Sequence, residues 1–245
     1  MRSAGKHAIV TGAASGIGLA TANRLARSGE WNLTLVDLDA DAIRTAADFE
    51  LDGHLVHPGD ISDPASVESV FLEARKVLGP LHALANIAGL STLDDVKLEE
   101  VSVETFDRIL SVNLRGAFLM CKRALPLLRE SGGGAIVNVG SVASILGVGG
   151  ASYVASKHGI VGLSRHIAYR YANENIRSTV VCPGPTATPM IAISRAKGQV
   201  PVQPGVIGRD AEPDEIAALI TFLMSDDAAM ITGSVHAVDG GFSQH

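Results

Sequence analysis

The sequence is poor in aromatic and in basic residues. Only 4% of its 245 residues are Phe, Trp or Tyr, which leaves little side-chain surface on which nucleic-acid bases could stack. Twenty basic residues face 26 acidic ones, and the formal net charge is -6. This balance argues against a basic nucleic-acid-binding surface as the main purpose of the protein. We therefore expect no nucleic-acid partner.

Cysteines and long apolar runs are also scarce. The two cysteines, Cys121 and Cys182, lie far apart inside apolar stretches, as is typical of buried free thiols, and they imply no oxidising compartment. The N-terminal residues lack the hydrophobic region of a signal peptide, and no stretch is long and apolar enough to span a bilayer. We expect a cytoplasmic protein that makes no membrane contact.

Short apolar runs alternate with longer segments of helical period along the chain. Runs rich in Val, Ile and Leu are typical of strands that are buried on both faces, as in a parallel sheet. The alternation predicts a single α/β domain, a Rossmann-like doubly wound parallel sheet of about seven strands with helices on both faces. The predicted strands are 7–11, 32–37, 54–58, 83–87, 135–139, 177–182 and 235–238, and the predicted helices lie near 17–28, 39–48, 64–78, 103–130, 151–174 and 212–225.

Prolines concentrate between residues 183 and 204, where five of the ten prolines interleave with glycines. The segment starts at the carboxyl end of a predicted strand, which is where ligands bind in open α/β sheets. A long structureless insertion at such a place is often a lid. We predict a substrate lid at 185–211, with a mobile surface loop as the alternative.

A glycine cluster follows the first predicted strand, in the stretch T-G-A-A-S-G-I-G at 11–18. Glycines allow a sharp turn and a close approach to a pyrophosphate, whose charge is favoured at a helix N-terminus. The spacing differs from G-x-G-x-x-G, and the lysine of a P-loop is missing, which argues against an NTPase. A plain tight turn is the alternative. The predicted cofactor contacts in this turn are Gly12, Ser15, Gly16, Ile17 and Gly18.

Asp37 ends the second predicted strand, 19 positions after Gly18. A carboxylate at this place can accept both hydroxyls of an adenosine ribose and repels a 2′-phosphate. No arginine is present at 13–15 or 38–39 to hold that phosphate. The sequence therefore predicts NAD(H) rather than NADP(H), bound at Asp37 and Leu38. A solvent-exposed, helix-capping acid is the alternative for Asp37.

Tyr153 and Lys157 are four residues apart in a segment of helical period, which places the phenol and the ammonium on one helix face. A cation next to a tyrosine favours the phenolate and lowers a pKa that is ordinarily about 10. Such a pair can move a proton at an alcohol or a carbonyl. Taken alone, this spacing also occurs in surface pairs without function.

Two further polar residues strengthen the catalytic interpretation. Ser141 follows an apolar strand and can hydrogen-bond a substrate oxygen, or it caps a turn. Asn113 lies inside the predicted helix 103–130, where a buried amide is either a structural anchor or a holder of water.

Together, these motifs resemble the short-chain dehydrogenase/reductase family over nearly the whole chain. Each motif is modest alone, but their order and spacing are specific. They are T-G-x-x-x-G-I-G at 11–18, Asp60, N-I-A-G at 86–89, Asn113, Ser141, the Tyr153/Lys157 pair, P-G at 183–184, Thr188 and V-D-G-G at 238–241. The chain departs from the usual N-N-A-G at Ile87, so one polar contact beneath the cofactor is expected to be missing.

The resemblance implies a role for each matched residue. Tyr153 is expected to be the general acid/base, Lys157 to lower its pKa and hold the nicotinamide ribose, and Ser141 to orient the substrate oxygen. Asn113 is expected to fix a water that links Lys157 to solvent. The remaining implied cofactor contacts are Asp60 and Ile61 at the adenine, Asn86, Ala88 and Gly89 along the cleft, Thr188 at the carboxamide, and Pro183 and Gly184. Thr186, the other threonine of that segment, is expected to share phosphate contacts. A homotetramer is also implied.

The expected substrate is a neutral, apolar secondary alcohol or ketone, because 142–148 is largely apolar and Met190 and Ile191 open the predicted lid. We read the charges of Arg195 and Lys197 as solvated, with contact to an anionic substrate as the alternative. The acids Asp94, Asp95, Glu99 and Glu100 are read as a solvated stretch. His54 and His57 have no third ligand nearby in sequence, so no metal site is predicted.

The sequence thus predicts an NAD-dependent short-chain alcohol dehydrogenase/reductase. The first alternative is an NADPH-dependent reductase of 3-ketoacyl thioesters or ketones, against which Asp37 counts. The second is a protein that senses NAD(H) without turnover, which has no physical need for the complete set Asn113, Ser141, Tyr153 and Lys157.

Overall fold

The computed structural model describes residues 5–196 and 205–244. In this part of the chain, seven strands form one sheet in the order β3-β2-β1-β4-β5-β6-β7, and every neighbouring pair is parallel. The strands are β1 (Lys6–Thr11), β2 (Trp31–Asp37), β3 (Leu55–Pro58), β4 (Ala83–Asn86), β5 (Gly134–Val139), β6 (Ile176–Pro183) and β7 (Val235–Val238).

Helices connect these strands and cover the sheet. The α-helices are α1 (Gly16–Ser28), α2 (Ala40–Ala46), α3 (Pro64–Leu78), α4 (Val103–Leu110), α5 (Ala117–Glu130), α6 (Ala151–Arg170), α7 (Pro189–Ala196) and α8 (Pro213–Met224). No helix within residues 5–196 and 205–244 combines the length and the apolar character that a membrane crossing needs.

Apolar residues on both sides of each strand explain why helices cover both faces of the sheet. In β1, Ala8 and Val10 pack into the core that contains residues of α1, α2 and α8. Ile9, between them, packs into the opposite core, which contains residues of α3 and α5. Successive side chains of a strand point to opposite faces, so a continuous apolar run requires cover on both. The predicted doubly wound sheet is confirmed.

The predicted helix 103–130 is interrupted. α4 ends at Leu110, a π-helical segment spans Ser111–Gly116, and α5 starts at Ala117. At the end of this segment the backbone lies against Ile61, and a Cβ on Gly116 would be 2.9 Å from the Ile61 side chain. Hydrophobic periodicity does not distinguish such a π-helical turn from an α-helical one. The predicted helix 151–174 ends as an α-helix at Arg170 and continues as a 3-10 turn over Ala172–Glu174.

The proline-rich segment is not structureless, and the sequence prediction is wrong over Pro189–Ala196, which forms α7. Pro189 is the first helical residue, a position at which the missing N–H of proline costs no hydrogen bond. Arg195, near the end of α7, forms a bidentate ion pair with Asp210. Residues 197–204 of the predicted lid, Lys197 among them, lie outside the described residues.

A buried histidine lies at the amino-terminal edge of the sheet. His7 is 1% exposed on β1, and its Nε2 lies 2.9 Å from the Thr34 hydroxyl on β2. Burial lowers the pKa of His7 from 6.5 to about 4. The neutral imidazole is therefore part of the folded state at any pH above about 4.

We expect acid to destabilise the fold through His7. Above pH 6.5 neither state is protonated at this site, and the full stability is present. As the pH falls from 6.5 to about 4, the unfolded state binds the proton first, and the free energy of unfolding falls by roughly 3 kcal/mol. Urea unfolding of the wild type and His7→Gln between pH 7 and 4.5 should show a weaker pH dependence in the variant. The exposed His166, replaced by Gln, is the control, and equal pH dependence in all three proteins would contradict the expectation.

Candidate active site

A cleft of about 1330 Å³ lies at the carboxyl edge of the sheet, where the loops after β1, β4, β5 and β6 meet. Strand order reverses between β1 and β4, and an open α/β sheet binds its ligands at such a point. Most of the residues singled out from the sequence line this cleft. They are Gly12, Ser15, Gly16, Ile17, Gly18, Asp37, Leu38, Asp60, Ile61, Ala88, Gly89, Ser141, Tyr153, Lys157, Pro183, Gly184, Thr186 and Thr188.

The glycine turn between β1 and α1 forms one wall of the cleft. Gly12 and Gly16 have φ angles of 71° and 51°, which disfavour any residue with a side chain. A Cβ on Gly18 would lie 1.9 Å from the Gly12 carbonyl oxygen, so this close packing of the turn against α1 requires glycine. Ser15, which precedes α1, makes no side-chain cap. The first N–H groups of the helix are therefore left without a side-chain acceptor. Gly16, Ile17 and Gly18 line the cleft, so this end of α1 suits an anion.

Asp37 lies at the edge of the cleft and is held there by backbone. Its Oδ2 accepts a hydrogen bond from the Ala14 N–H at 3.0 Å, and its Oδ1 accepts one from the Asp39 N–H at 3.3 Å. The N-cap of α2 is Asp39, whose side chain accepts from the Asp41 and Ala42 N–H groups. Helix capping is therefore the role of Asp39, and the Asp37 carboxylate is oriented beside the glycine turn. Leu38 is 74% exposed next to it.

Asp60 and Ile61 follow β3 and line the same end of the cleft. The Asp60 Oδ1 accepts hydrogen bonds from the N–H and the hydroxyl of Ser62, at 2.8 and 2.7 Å. These bonds form a local turn that orients the carboxylate. Ile61 is 7% exposed and supplies an apolar surface between this turn and the π-helical segment.

Tyr153, Lys157 and Ser141 converge on the opposite wall. The Lys157 Nζ lies 5.5 Å from the centroid of the Tyr153 ring and donates a hydrogen bond to the Val139 carbonyl at 2.9 Å. The Ser141 hydroxyl interacts with the phenol of Tyr153. Ser141 also caps the short 3-10 turn Val142–Ser144 by accepting from the Ala143 N–H at 3.2 Å. Both roles considered for Ser141 are thus compatible with its place.

Burial dominates the electrostatics of this pair. It raises the pKa of Tyr153 above its ordinary value, and the hydrogen bond from Ser141 opposes that shift. It lowers the pKa of Lys157 to about 8. The pKa of Tyr153 is therefore shifted in the direction opposite to that predicted from the i, i+4 lysine, because burial outweighs the Ser141 hydrogen bond. The Ser141 hydrogen bond favours the phenolate.

Asn113 and Asn86 are not on the cleft surface. Asn113 is 2% exposed in the π-helical segment. Its Nδ2 donates to the Leu90 carbonyl and to the Ser156 hydroxyl, and its Oδ1 accepts from the Leu90 N–H. The amide thereby ties the loop after β4 to α6, which agrees with the anchor interpretation. A Cβ on Gly89 would be 3.4 Å from both the Asn113 Oδ1 and the Lys157 Nζ, so these groups lie close together.

Asn86 points into the core between strands. Its Nδ2 donates to the Asn138 Oδ1 at 2.9 Å and to the Cys121 sulfur at 3.2 Å. Cys121 and Cys182 are both free and buried, as the sequence indicates. The side chain of Asn86 thus connects β4 to β5, and contact with a ligand would have to come from its neighbours Ala88 and Gly89.

The segment after β6 closes the cleft from above. Thr186 is 5% exposed and donates its hydroxyl to the Gly184 carbonyl at 2.9 Å. Thr188 faces the glycine turn, because a Cβ on Gly16 would lie 3.0 Å from its Cγ2. The two threonines therefore differ in role, and the one that faces the turn is Thr188.

Asp95 is a residue of the cleft that the sequence reasoning misses. Asp95, read from the sequence as part of a solvated acidic stretch, is only 8% exposed and lines the cleft. Its carboxylate accepts hydrogen bonds from the Ser152 and Tyr153 N–H groups at the start of α6. The one available signal is that the Gly149-Gly150 pair before that helix offers no side chain to cap it. Asp94, Glu99 and Glu100 are exposed, as predicted.

Comparison with known proteins places this geometry in a family. A family model described as Enoyl-(Acyl carrier protein) reductase matches residues 12–243. Cyclohexanol dehydrogenase from Acinetobacter sp. (strain SE19) is 37% identical over 243 residues, which are 97% of this chain and 95% of that protein. Levodione reductase from Leifsonia aquatica is 36% identical over 253 residues, covering 96% of this chain and 93% of that one.

A solved structure shows the same likeness. The crystal structure of levodione reductase superimposes with a TM-score of 0.91 at 34% identity, and the match covers 98% of both chains. The match extends over the sheet, the glycine turn and the Tyr153/Lys157 helix alike. The chain belongs to the short-chain dehydrogenase/reductase family of oxidoreductases.

Proposed function

We propose that this protein is an NAD(H)-dependent dehydrogenase of neutral, largely apolar secondary alcohols, and a reductase of the corresponding ketones. The observation that carries the proposal is the convergence of Ser141, Tyr153 and Lys157 on one wall of a cleft whose other wall is the glycine turn. A nicotinamide dinucleotide bound there supplies the acceptor or the donor of the hydride.

The residues of the cleft fit a dinucleotide. Its volume of about 1330 Å³ exceeds the roughly 300–1,000 Å³ that is typical for one small ligand. A Cβ on Gly12, Gly16 or Gly18 would meet other atoms of the protein, so glycine at these positions lets the turn pack closely beside the cleft, where its backbone can approach a pyrophosphate. All of Asp37, Asp60, Ile61, Lys157 and Thr188 line the cleft. We assign Asp37 to the adenosine ribose and Asp60 and Ile61 to the adenine. We assign Lys157 and Thr188 to the nicotinamide half.

Proton transfer is assigned to the tyrosine. The Ser141 hydroxyl holds the substrate oxygen. Tyr153 accepts the hydroxyl proton as a phenolate during oxidation, and it donates a proton as a neutral phenol during reduction. Because the pKa of Lys157 is about 8, much of this lysine is charged at neutral pH and favours the phenolate. The role of Asn113 in holding a relay water remains a proposal. Both of its side-chain N–H groups are committed, so the water would be bound by an oxygen of this residue.

The expected polarity of the substrate follows from the outer part of the cleft. Val142, Val148, Met190 and Ile191 line it with apolar atoms. Arg195 is neutralised by Asp210, so it does not attract an anionic substrate to the predicted lid at 185–211. Cyclohexanol, the substrate named for one relative, is itself a neutral secondary alcohol. These features favour a small apolar alcohol over a charged one.

Assembly and compartment are proposed on less direct grounds. Large apolar side chains are exposed on α4, α5, α6 and α8, with Val103 at 70%, Phe118 at 46%, Tyr169 at 83% and Phe222 at 41%. We propose that contacts between subunits cover them in a homotetramer, since exposed apolar groups on several helices suit more than one interface. The two free, buried cysteines suit the cytoplasm.

We expect Tyr153→Phe to lower kcat by about 10² to 10⁴-fold, because the variant keeps the ring and loses the group that moves the proton. NADH formation from NAD⁺ is measured across cyclic alcohols, linear secondary alcohols and hydroxyacyl thioesters, with NADH affinity measured in parallel. Tyr171→Phe, beyond α6 and outside the cleft, is the matched control. Turnover by Tyr153→Phe at the wild-type rate would remove Tyr153 from the mechanism. A charged substrate with the highest kcat/KM would refute the proposed substrate class. NADH binding by the wild type without turnover of any alcohol would favour the alternative that the protein senses NAD(H).

We expect NADH to bind more than about tenfold more tightly than NADPH, because the Asp37 carboxylate repels a 2′-phosphate. Asp37→Ser should reduce the ratio of the Kd for NADPH to the Kd for NADH, mainly because NADH binds more weakly. Asp41→Ser, which removes the same charge from α2 outside the cleft, should leave the ratio unchanged. Fluorescence titration checks all three proteins. Equal affinities of the wild type for both cofactors would overturn the NAD assignment and favour the NADPH-dependent reductase.

Light scattering should give a mass near four times 25.4 kDa. Replacing Phe118 by Glu should reduce that mass, because a charge cannot be buried in an apolar contact without cost. The control is Lys76→Glu, at an exposed position on α3. A monomeric mass for the wild type would refute the tetramer.

A further inference from the structure

We infer that Asp95 is a positioning residue for the reaction, whose carboxylate holds the first turn of α6 and thereby the catalytic tyrosine. The inference rests on the proposed role of Tyr153 as the acid/base. It adds a residue from the loop after β4 to the group that determines where the phenol lies.

The contact is a helix cap supplied from a distant part of the sequence. The Asp95 Oδ1 accepts a hydrogen bond from the Ser152 N–H at 2.9 Å, and its Oδ2 accepts one from the Tyr153 N–H at 2.8 Å. The first N–H groups of a helix have no partner within the helix, and the residue before it normally caps them with a side chain. That residue is Gly150, which has none. Asp95 takes its place and binds the backbone of Tyr153 itself.

The lack of a side chain at Gly150 provides the space for this contact. A Cβ on Gly150 would lie 2.2 Å from the Asp95 carbonyl oxygen and 2.3 Å from its Oδ2. The backbone of Gly150, with φ -69° and ψ 153°, is open to any residue. Glycine is therefore needed at 150 for space and not for conformation. The absence of a side chain there lets the loop approach α6 closely enough for the two hydrogen bonds.

Capping matters here because Tyr153 is the third residue of its helix. The first turn of a helix is the part that opens most easily when its N–H groups are unpaired. Without Asp95, no other side-chain cap is described for this turn. The same loop carries Leu90, which Asn113 holds, so the loop links the cofactor side of the cleft to the catalytic helix.

The carboxylate acts on Tyr153 through the backbone. The groups that face the phenol are Lys157 on the same helix, Cys182 on β6 and the hydroxyl of Ser141, whereas Asp95 binds the Tyr153 N–H. We therefore expect Asp95 to determine where the phenol lies rather than its charge state. A residue that only stabilised the fold would lower the melting temperature without lowering kcat in the folded enzyme.

Asp95→Asn tests the inference, because the amide keeps the shape and one acceptor but places an NH₂ group against a backbone N–H. We expect kcat to fall at least tenfold, and the Kd for NADH to change less than twofold. The KM for the alcohol should change less than kcat does, because the position of the phenol matters most in the transition state. The control is Asp94→Asn, one residue earlier and exposed, whose carboxylate accepts from the Thr105 hydroxyl. It should leave kcat, KM and the Kd for NADH unchanged.

Gly150→Ala approaches the same contact from the other side. The added methyl group should displace the loop and lower kcat, with a small change in the Kd for NADH, although the carboxylate is still present. Melting temperatures identify any variant that fails to fold, and the other variant then decides. Wild-type kcat in a folded variant would overturn the inference. If Tyr153→Phe is inactive while Asp95→Asn behaves as wild type, only this inference fails; if Tyr153→Phe is active, the proposed function fails first.

Discussion

The hydroxyl of Thr11 holds the cleft together at the point where strand order reverses. It lies at the end of β1, fully buried, and accepts hydrogen bonds from the Ile87 and Ala88 N–H groups at 3.0 and 3.1 Å. This joins the glycine turn after β1 to the loop after β4. The approach is so close that a Cβ on Gly12 would lie 3.0 Å from the backbone of Ala88. The junction therefore fixes the glycine turn against the loop that leads to the catalytic helix.

The junction also explains why Ile87 is tolerated where the family has a second asparagine. The contact with Thr11 is made by the backbone of Ile87, which any residue supplies. The position of the loop therefore does not depend on the side chain, although the cleft loses one polar group. The loop continues through Leu90, which Asn113 binds, to Asp95, which binds α6. One connected set of hydrogen bonds runs from the glycine turn to the catalytic tyrosine.

Burial of the charged Lys157 ammonium costs free energy, and neighbouring polar groups reduce this cost. The ammonium of Lys157 is 4% exposed, and its hydrogen bond to the Val139 carbonyl replaces part of the lost hydration. Its pKa of about 8 leaves it charged often enough to act on the phenol. Ser141 acts in the same direction through a hydrogen bond. The low dielectric that raises the pKa of Tyr153 also strengthens each of these interactions.

The sequence by itself determined which seven segments form strands, the doubly wound sheet and the glycine turn. These features depend on local periodicity and on backbone conformation at single residues, which nearby residues specify. The catalytic tyrosine and lysine were also predictable, because their spacing on one helix is local. The cap from Asp95, the partners of Asn113 and the neutralisation of Arg195 by Asp210 were decided only by the tertiary structure. Each of these contacts joins residues that are not adjacent in the sequence. The sequence alone does not show whether an acidic residue is buried or solvated, because that depends on the partner that the fold brings next to it.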